Sequence, residues 1–404
     1  MFNKSYNLVV IGAGIVGLVS ALKIKKKFPN YKILILDKEK NSVSHGTGRN
    51  SGVIHSGIYY PPETLRAKYC VSGSKQMKDY VKEKNLWIDE CGKILLPTSK
   101  ESLKTIDILM ERSIRNGVEA NILTPKEINE LEPNANPVFD IGIHIPFTSI
   151  VDPKEVAFSI KYDLEKLGVE ILYSSPVREV DSEKGLIKFN NIEVTSDLII
   201  NSAGLQSDTI ARKSSYKTDY SFSPFKGKYW HVSNPDFKMK RLLYPIPNLD
   251  LPFLGIHTVH NKKGKVYIGP SSTPVFGREN YYGLKGLKIS EFIYLLFSFT
   301  KKFLLNTNGL RTLAFREFNL ILPNGVFNEA KNLVKGLNKS SFKLSNEKVG
   351  IRSQIFDKKE KTLVSDFMVE KQDKVIHILN AISPAFTASF GLADYILKEY
   401  SDEF

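Results

Sequence analysis

Cysteine is nearly absent from this 404-residue chain. Cys70 and Cys91 cannot build a disulfide framework, and their spacing does not read as a zinc site. No metal centre is expected, and a reducing, cytoplasmic setting fits such sparse cysteine. Long apolar runs are missing too. The nearest approach, Phe292–Phe299, falls far short of the ~18 residues a spanning helix needs. No leader pattern is expected either, because Met1–Asn7 is polar and the apolar run Leu8–Ile11 meets Gly12 too soon. Arginine is scarce, 11 of the 57 basic residues, yet 43 acids leave a formal charge of +14. That excess suits an anionic substrate, an anionic membrane or nucleic acid, and equally a lysine-biased composition. Recognised RNA-binding motifs and a basic stripe with interleaved aromatics are lacking, which disfavours nucleic acid. With 42% hydrophobic and 25% charged residues, the chain is globular rather than disordered, and its length predicts two or three domains.

What is present begins at residue 8. Leu8–Ile11 is a buried strand by its branched apolar run, followed at once by Gly12-Ala13-Gly14-Ile15-Val16-Gly17. Leu18 to Phe28 reads as a helix. Lys32–Leu36 is a second strand ending at Asp37. Each part has a task in binding an adenine dinucleotide. Gly12 permits the tight turn, Gly14 lets the backbone approach a pyrophosphate, and Gly17 permits close helix–sheet packing. The helix N-terminus offers N–H donors, and Asp37 can accept from ribose hydroxyls. The next stretch, His45 to Tyr60, is dense in Gly, Ser and small polar residues, suited to lie against a flat ring system. A nicotinamide enzyme would normally continue with another βα repeat, so FAD is favoured.

The run Asn50-Ser51-Gly52-Val53-Ile54-His55-Ser56-Gly57-Ile58-Tyr59-Tyr60 resembles the signature of the L-2-hydroxyglutarate oxidase/dehydrogenase family, within the D-amino-acid oxidase/glycine oxidase superfamily of flavoproteins. The resemblance continues at Cys91-Gly92-Lys93, Leu243–Pro247, Pro252–His257, Asn380-Ala381 and Ser383-Pro384-Ala385. It implies an α/β fold in which a Rossmann-type FAD-binding domain is interleaved with an antiparallel-sheet α+β substrate domain. The expected boundaries are 1–85, 150–215 and 346–404 for the first and 86–149 and 216–345 for the second. It also implies FAD contacts from Lys38, Thr47, Arg49, Asn50, Ser51, Gly52 and Val177. The strand Asp197–Asn201, running into Ala203-Gly204, would return to the adenosine, with Ser207-Asp208 capping the next helix. Ser383, Pro384 and Ala385 would open the last helix with free N–H groups toward the flavin N1 edge. The family usually has His where this chain has Arg49, so the FAD is expected to be non-covalent. It also usually reads Phe-Arg-Gly-Glu-Tyr where this chain has Phe225-Lys226-Gly227-Lys228-Tyr229, which leaves room for a more anionic substrate.

Oxidising a 2-hydroxy acid requires a cation for its carboxylate and a base for its hydroxyl proton. Arg352, in a Gly-apolar-Arg stretch, is the expected carboxylate ligand, because a guanidinium matches a carboxylate with two prongs. Lys226 and Arg278 are candidate second cations for a diacid. His257 is the leading candidate base and His55 its competitor; Tyr59 and Tyr244 could shape the pocket. The electron acceptor is O2 or a quinone. Amine oxidation in the glycine oxidase manner, or oxidation of a sugar-derived hydroxy acid, is the alternative. Residues 289–305 combine apolar residues with flanking lysines, which suits either a peripheral membrane helix or a helix packed on its own domain.

Overall fold

The computed structural model describes residues 4–249, 254–307, 310–320 and 322–404, so Pro252 and Phe253 of the stretch Pro252–His257 lie outside the described residues. Strand β1 (Lys4–Ile11) sits inside an eight-stranded sheet. Leu8 and Val10 face one apolar cluster, Val9 and Ile11 another. Both faces are covered, which is why the strand is apolar without interruption. It pairs in parallel with β2 (Ile33–Leu36) on one side and Ile192–Asn201 on the other. Val375–Ile378 extends the parallel set from Asn201's end, and Val177–Asp181 and Leu186–Phe189 add an antiparallel margin.

Helix α1 (Ile15–Lys27) and the helices Leu65–Glu83, Pro153–Lys166 and Ala385–Glu399 contribute to the core on one face of this sheet. The helices Leu65–Glu83 and Ala385–Glu399 meet backbone to backbone. A Cβ on Gly73 would stand 2.9 Å from Thr387 O, and one on Gly391 2.6 Å from Tyr69 O. Asp366, far along the chain, accepts from the Leu65 and Arg66 N–H groups at 2.8 Å each and so caps the first of these helices. That turn lies between the short strands Thr362–Leu363 and Val369–Gln372.

The remaining sheets are mostly antiparallel. Phe225–Val232 is central to a five-stranded sheet with Val266–Gly269, Thr273–Pro274 and Phe342–Arg352; His257–His260 pairs with Val266–Gly269. A four-stranded sheet holds Leu242–Pro245, Lys93–Leu96, Gly142–Ile145 and Asn121–Leu123. The fold is therefore α/β, a Rossmann-type sheet interleaved in sequence with antiparallel sheets. Residues 346–352, grouped by the sequence with the dinucleotide-binding segments, continue a strand of the five-stranded sheet, with Ile351 opposite Lys226. Residues 289–331 form three helices, Ile289–Leu304, Leu310–Asn319 and Pro323–Lys331. The first buries Leu295 and Phe299 against Phe225 and Leu310, while Ile293 and Phe297 stay exposed. No helix among the described residues is long and apolar enough to cross a membrane.

Candidate active site

One cavity of about 340 Å³ runs from the turn after β1 to the ends of the strands carrying His257 and Arg352. Its first end is built by the glycine turn. Gly12 has φ +107°, and a Cβ there would stand 2.6 Å from Ser202 O. Gly17 does not line the cavity; it lets α1 close on the turn, since its Cβ would lie 2.1 Å from Gly12 O. Gly14 lines the cavity as N-cap of α1, with no side-chain cap and no acid in the first turn. The positive helix end therefore remains available to an anion. Thr47 accepts from Ile15 N at 2.9 Å and ties the following loop to this turn.

Asp37 ends β2 and accepts from Ala13 N and Glu39 N at 2.8 Å each. Burial raises its pKa, and these two donors oppose the rise. Lys38 also lines the cavity, paired with Glu279 at 2.8 Å and with Glu39. Arg49 donates through Nε to Ser44 O at 2.7 Å and stacks 4.0 Å from the Tyr281 ring centre. Asn50 braces the loop by donating to Thr47 O (2.8 Å) and accepting from Gly52 N (2.7 Å). Asn50, Ser51, Ala203 and Gly204 line the cavity. Gly52 and Val177 do not. Gly52 lies against Val151 O, where a Cβ would come within 2.3 Å, and Val177 packs with Val180, Ile187 and Phe189.

At the other end Ser383, Pro384 and Ala385 form one wall. Arg352, at the end of its strand, is half-buried and donates to Ser272 Oγ at 2.6 Å. His257 hydrogen-bonds Gly255 O through Nδ1 at 3.1 Å, which assigns the lone pair to Nε2. Burial, helped by the charges of Arg352 and Lys93, lowers its pKa to about 3. His55 is also buried; its pKa falls well below the usual imidazole value by desolvation, then by Lys93, and its Nδ1 has no hydrogen-bond partner. Both imidazoles are thus neutral acceptors at ordinary pH.

The other expected substrate residues lie elsewhere. Strand alternation places Gly227 and Tyr229 in the cavity wall, while Lys226 is outside it, 3.3 Å from Asn280 Oδ1. Burial lowers the Lys226 pKa to about 8. Arg278 is held by Asp208 (Nη2–Oδ2 2.9 Å), by Glu291 (2.7 Å) and by Leu205 O. Its partner Asp208 therefore does not cap the helix Ser207–Lys213, whose N-cap is Gln206. Tyr59 and Tyr244 are buried outside the cavity lining, with Tyr244 stacked on His257. Three residues escaped the sequence reading. Arg66 and Tyr229 line the cavity, and Lys93 lies buried beside Tyr59 and Tyr244. The signals for Lys93 were its place in the Cys91-Gly92-Lys93 stretch and a lysine opening a strand whose other members are all apolar.

A bare helix N-terminus and a carboxylate following β2 at one end, with buried imidazoles and a guanidinium at the other, are the features of a dinucleotide-dependent redox enzyme. The family model described as "FAD dependent oxidoreductase" matches residues 7–398. The chain is 34% identical to an L-2-hydroxyglutarate dehydrogenase of Indibacter alkaliphilus, over 97% of this chain and 98% of that one. It is 31% identical to the mitochondrial L-2-hydroxyglutarate dehydrogenase of Homo sapiens, over 99% and 90%. Among solved structures, an FAD-bound L-alpha-glycerophosphate oxidase from Mycoplasma pneumoniae superposes with TM-score 0.77 at 19% identity, covering 98% of this chain and 94% of that one. Glycine oxidase from Geobacillus kaustophilus gives 0.71 at 13%, covering 98% and 95%. This chain belongs to the FAD-dependent oxidoreductases, in the branch that holds the L-2-hydroxyglutarate dehydrogenases.

Proposed function

We propose that this enzyme oxidises L-2-hydroxyglutarate, or a closely related small L-2-hydroxy acid, to the 2-oxo acid. The observation that carries this is the shared cavity wall of Arg352, His257 and His55. Arg352 holds the 1-carboxylate, and its contact with Ser272 orients the guanidinium. His257 takes the hydroxyl proton on Nε2, with His55 the alternative acceptor. The proton's arrival creates an imidazolium beside the bound carboxylate, and that anion offsets the effect of burial. Bound FAD supplies the acceptor for the α-hydrogen as hydride. The residues that would hold it are Gly12, Gly14, Asp37, Lys38, Arg49, Asn50, Ser51, Ala203 and Gly204, with Ser383–Ala385 closing the flavin end. The bare α1 terminus fits a pyrophosphate there. Arg49 offers no imidazole for a covalent link, so acid precipitation should leave the flavin in the supernatant.

The test is anaerobic mixing of the purified enzyme with 2-hydroxy acids, amino acids and glycerol phosphates. L-2-hydroxyglutarate should bleach the flavin fastest; bleaching by amino acids alone would favour amine oxidation and overturn the reading. Reoxidation by O2 against a quinone then identifies the acceptor. The exposed Ile293 and Phe297, near Lys285, Lys288 and Lys301, support peripheral contact with an anionic membrane. Co-sedimentation with anionic against neutral vesicles checks that contact.

A further inference from the structure

Lys93 is wholly buried at the start of the strand Lys93–Leu96. Its Nζ lies 4.5 Å from the Tyr59 ring centre and 5.0 Å from that of Tyr244, and no hydrogen-bond partner reaches it. The Tyr59 and Tyr244 hydroxyls and His55 Nδ1 are likewise buried and unpartnered. Four polar groups gathered in one place without partners are costly unless a ligand completes them. Tyr244 stacks on His257 and meets His55 edge-on at 6.5 Å, so the cluster adjoins the reacting end of the cavity.

The lysine amine and the two hydroxyls can all donate, which is the complement of a carboxylate. Of the cations that sequence reasoning offered for a second carboxylate, Lys226 and Arg278 lie off the cavity and bond to Asn280 and to Asp208 and Glu291. Arg66 lines the cavity but donates to the carbonyls of Ser365 and Ser383. We propose that Lys93, with the Tyr59 and Tyr244 hydroxyls, binds the distal carboxylate of a dianionic substrate and selects a 2-hydroxy diacid over the monoacid of equal length. This rests on the hydroxy-acid reading above. Contact needs the Tyr59 ring or the lysine stem to rotate toward the cavity, since Lys93 does not line it.

The test uses the holoenzyme and two probes that lack the reacting hydroxyl, glutarate and pentanoate, followed by the flavin absorbance change on titration. Lys93→Met should weaken glutarate by about 30-fold or more and leave pentanoate within a factor of about two; Lys93→Arg should recover part of the loss. Flavin content and thermal unfolding show whether each variant is folded. If Lys93→Met does not fold, Tyr59→Phe decides, with an expected several-fold drop in the glutarate-to-pentanoate preference. An unchanged preference in the folded variant, equal loss of both probes, or a wild type that binds glutarate no better than pentanoate overturns the proposal. Lys93-dependent glutarate binding without bleaching by any 2-hydroxy acid would instead overturn the proposed reaction and leave the anion site standing.

Discussion

The Tyr244 ring lies 3.9 Å from the His257 ring, centre to centre, and only 10° from parallel. Together with the Gly255 carbonyl on Nδ1, this stacking fixes the imidazole in two directions. Tyr244 is itself fully buried, on a strand that pairs in parallel with Lys93–Leu96. Tyr244→Ala should therefore cost about 3–5 kcal/mol of stability by leaving a cavity and lower kcat/KM by about 100-fold through a misplaced base. Tyr244→Phe keeps the ring and should retain most of the stability. Denaturant unfolding and steady-state kinetics on the two variants check this, and full turnover in Tyr244→Ala would remove His257 from the mechanism.

Acid should affect stability before it affects the base. His257 has its pKa lowered to about 3 and His377 to about 4, both by burial. The unfolded chain, with histidines near 6.5, takes up protons first as pH falls. Stability is then full above about 6.5 and declines toward the folded-state pKa values, by up to about 1.4 kcal/mol per pH unit for each histidine. The profile of kcat/KM should show no acid limb down to pH 5, because the free enzyme's base is already neutral. An acid limb near 6.5 that vanishes in His257→Asn would contradict this assignment.

Two glycines separate cofactor binding from folding. A Cβ on Gly14 would meet only Thr47 Oγ1, at 3.3 Å. One on Gly17 would meet Gly12 O at 2.1 Å and Ser202 Oγ at 2.5 Å. Gly14→Ala should weaken FAD by about tenfold or more, as a methyl crowds the anion's approach to the helix end, with the apoprotein's unfolding midpoint little changed. Gly17→Ala should lower both FAD content and apoprotein stability. Flavin fluorescence on release and urea unfolding of the apoproteins distinguish the two effects.

Arg278 tests the difference between a substrate cation and a structural one. Its partners Asp208 and Glu291 are themselves largely buried. Arg278→Met should cost about 3–5 kcal/mol by leaving buried carboxylates unpaired, while the KM of the folded enzyme stays within a factor of about two. A large rise in KM at unchanged stability would return Arg278 to the substrate site.

The cofactor end was the most legible part of the chain, because its information is local. A buried strand, three glycines, a helix and an acid follow one another within 30 residues, and each works through its own backbone or its immediate neighbours. The same holds for the last helix, Ala385–Glu399, which opens at the expected Ser383-Pro384-Ala385. Asp366 capping a helix 300 residues earlier had no such local signal.

The sequence by itself determined the dinucleotide unit, the interleaved α/β plan and the residue types that could meet a hydroxy acid. Only the tertiary structure decided which cations reach the cavity. Lys226 and Arg278 carry the right charge, but strand alternation and the Asp208–Glu291 partnership direct them away from the cavity. Arg352 reaches it because its strand crosses to pair with Phe225. Lys93 gains its meaning from Tyr59, 34 positions before it, and Tyr244, 151 after it. Charge is written residue by residue, but burial and pairing depend on contacts between distant segments, and those contacts make an ammonium a binding group or a structural tie.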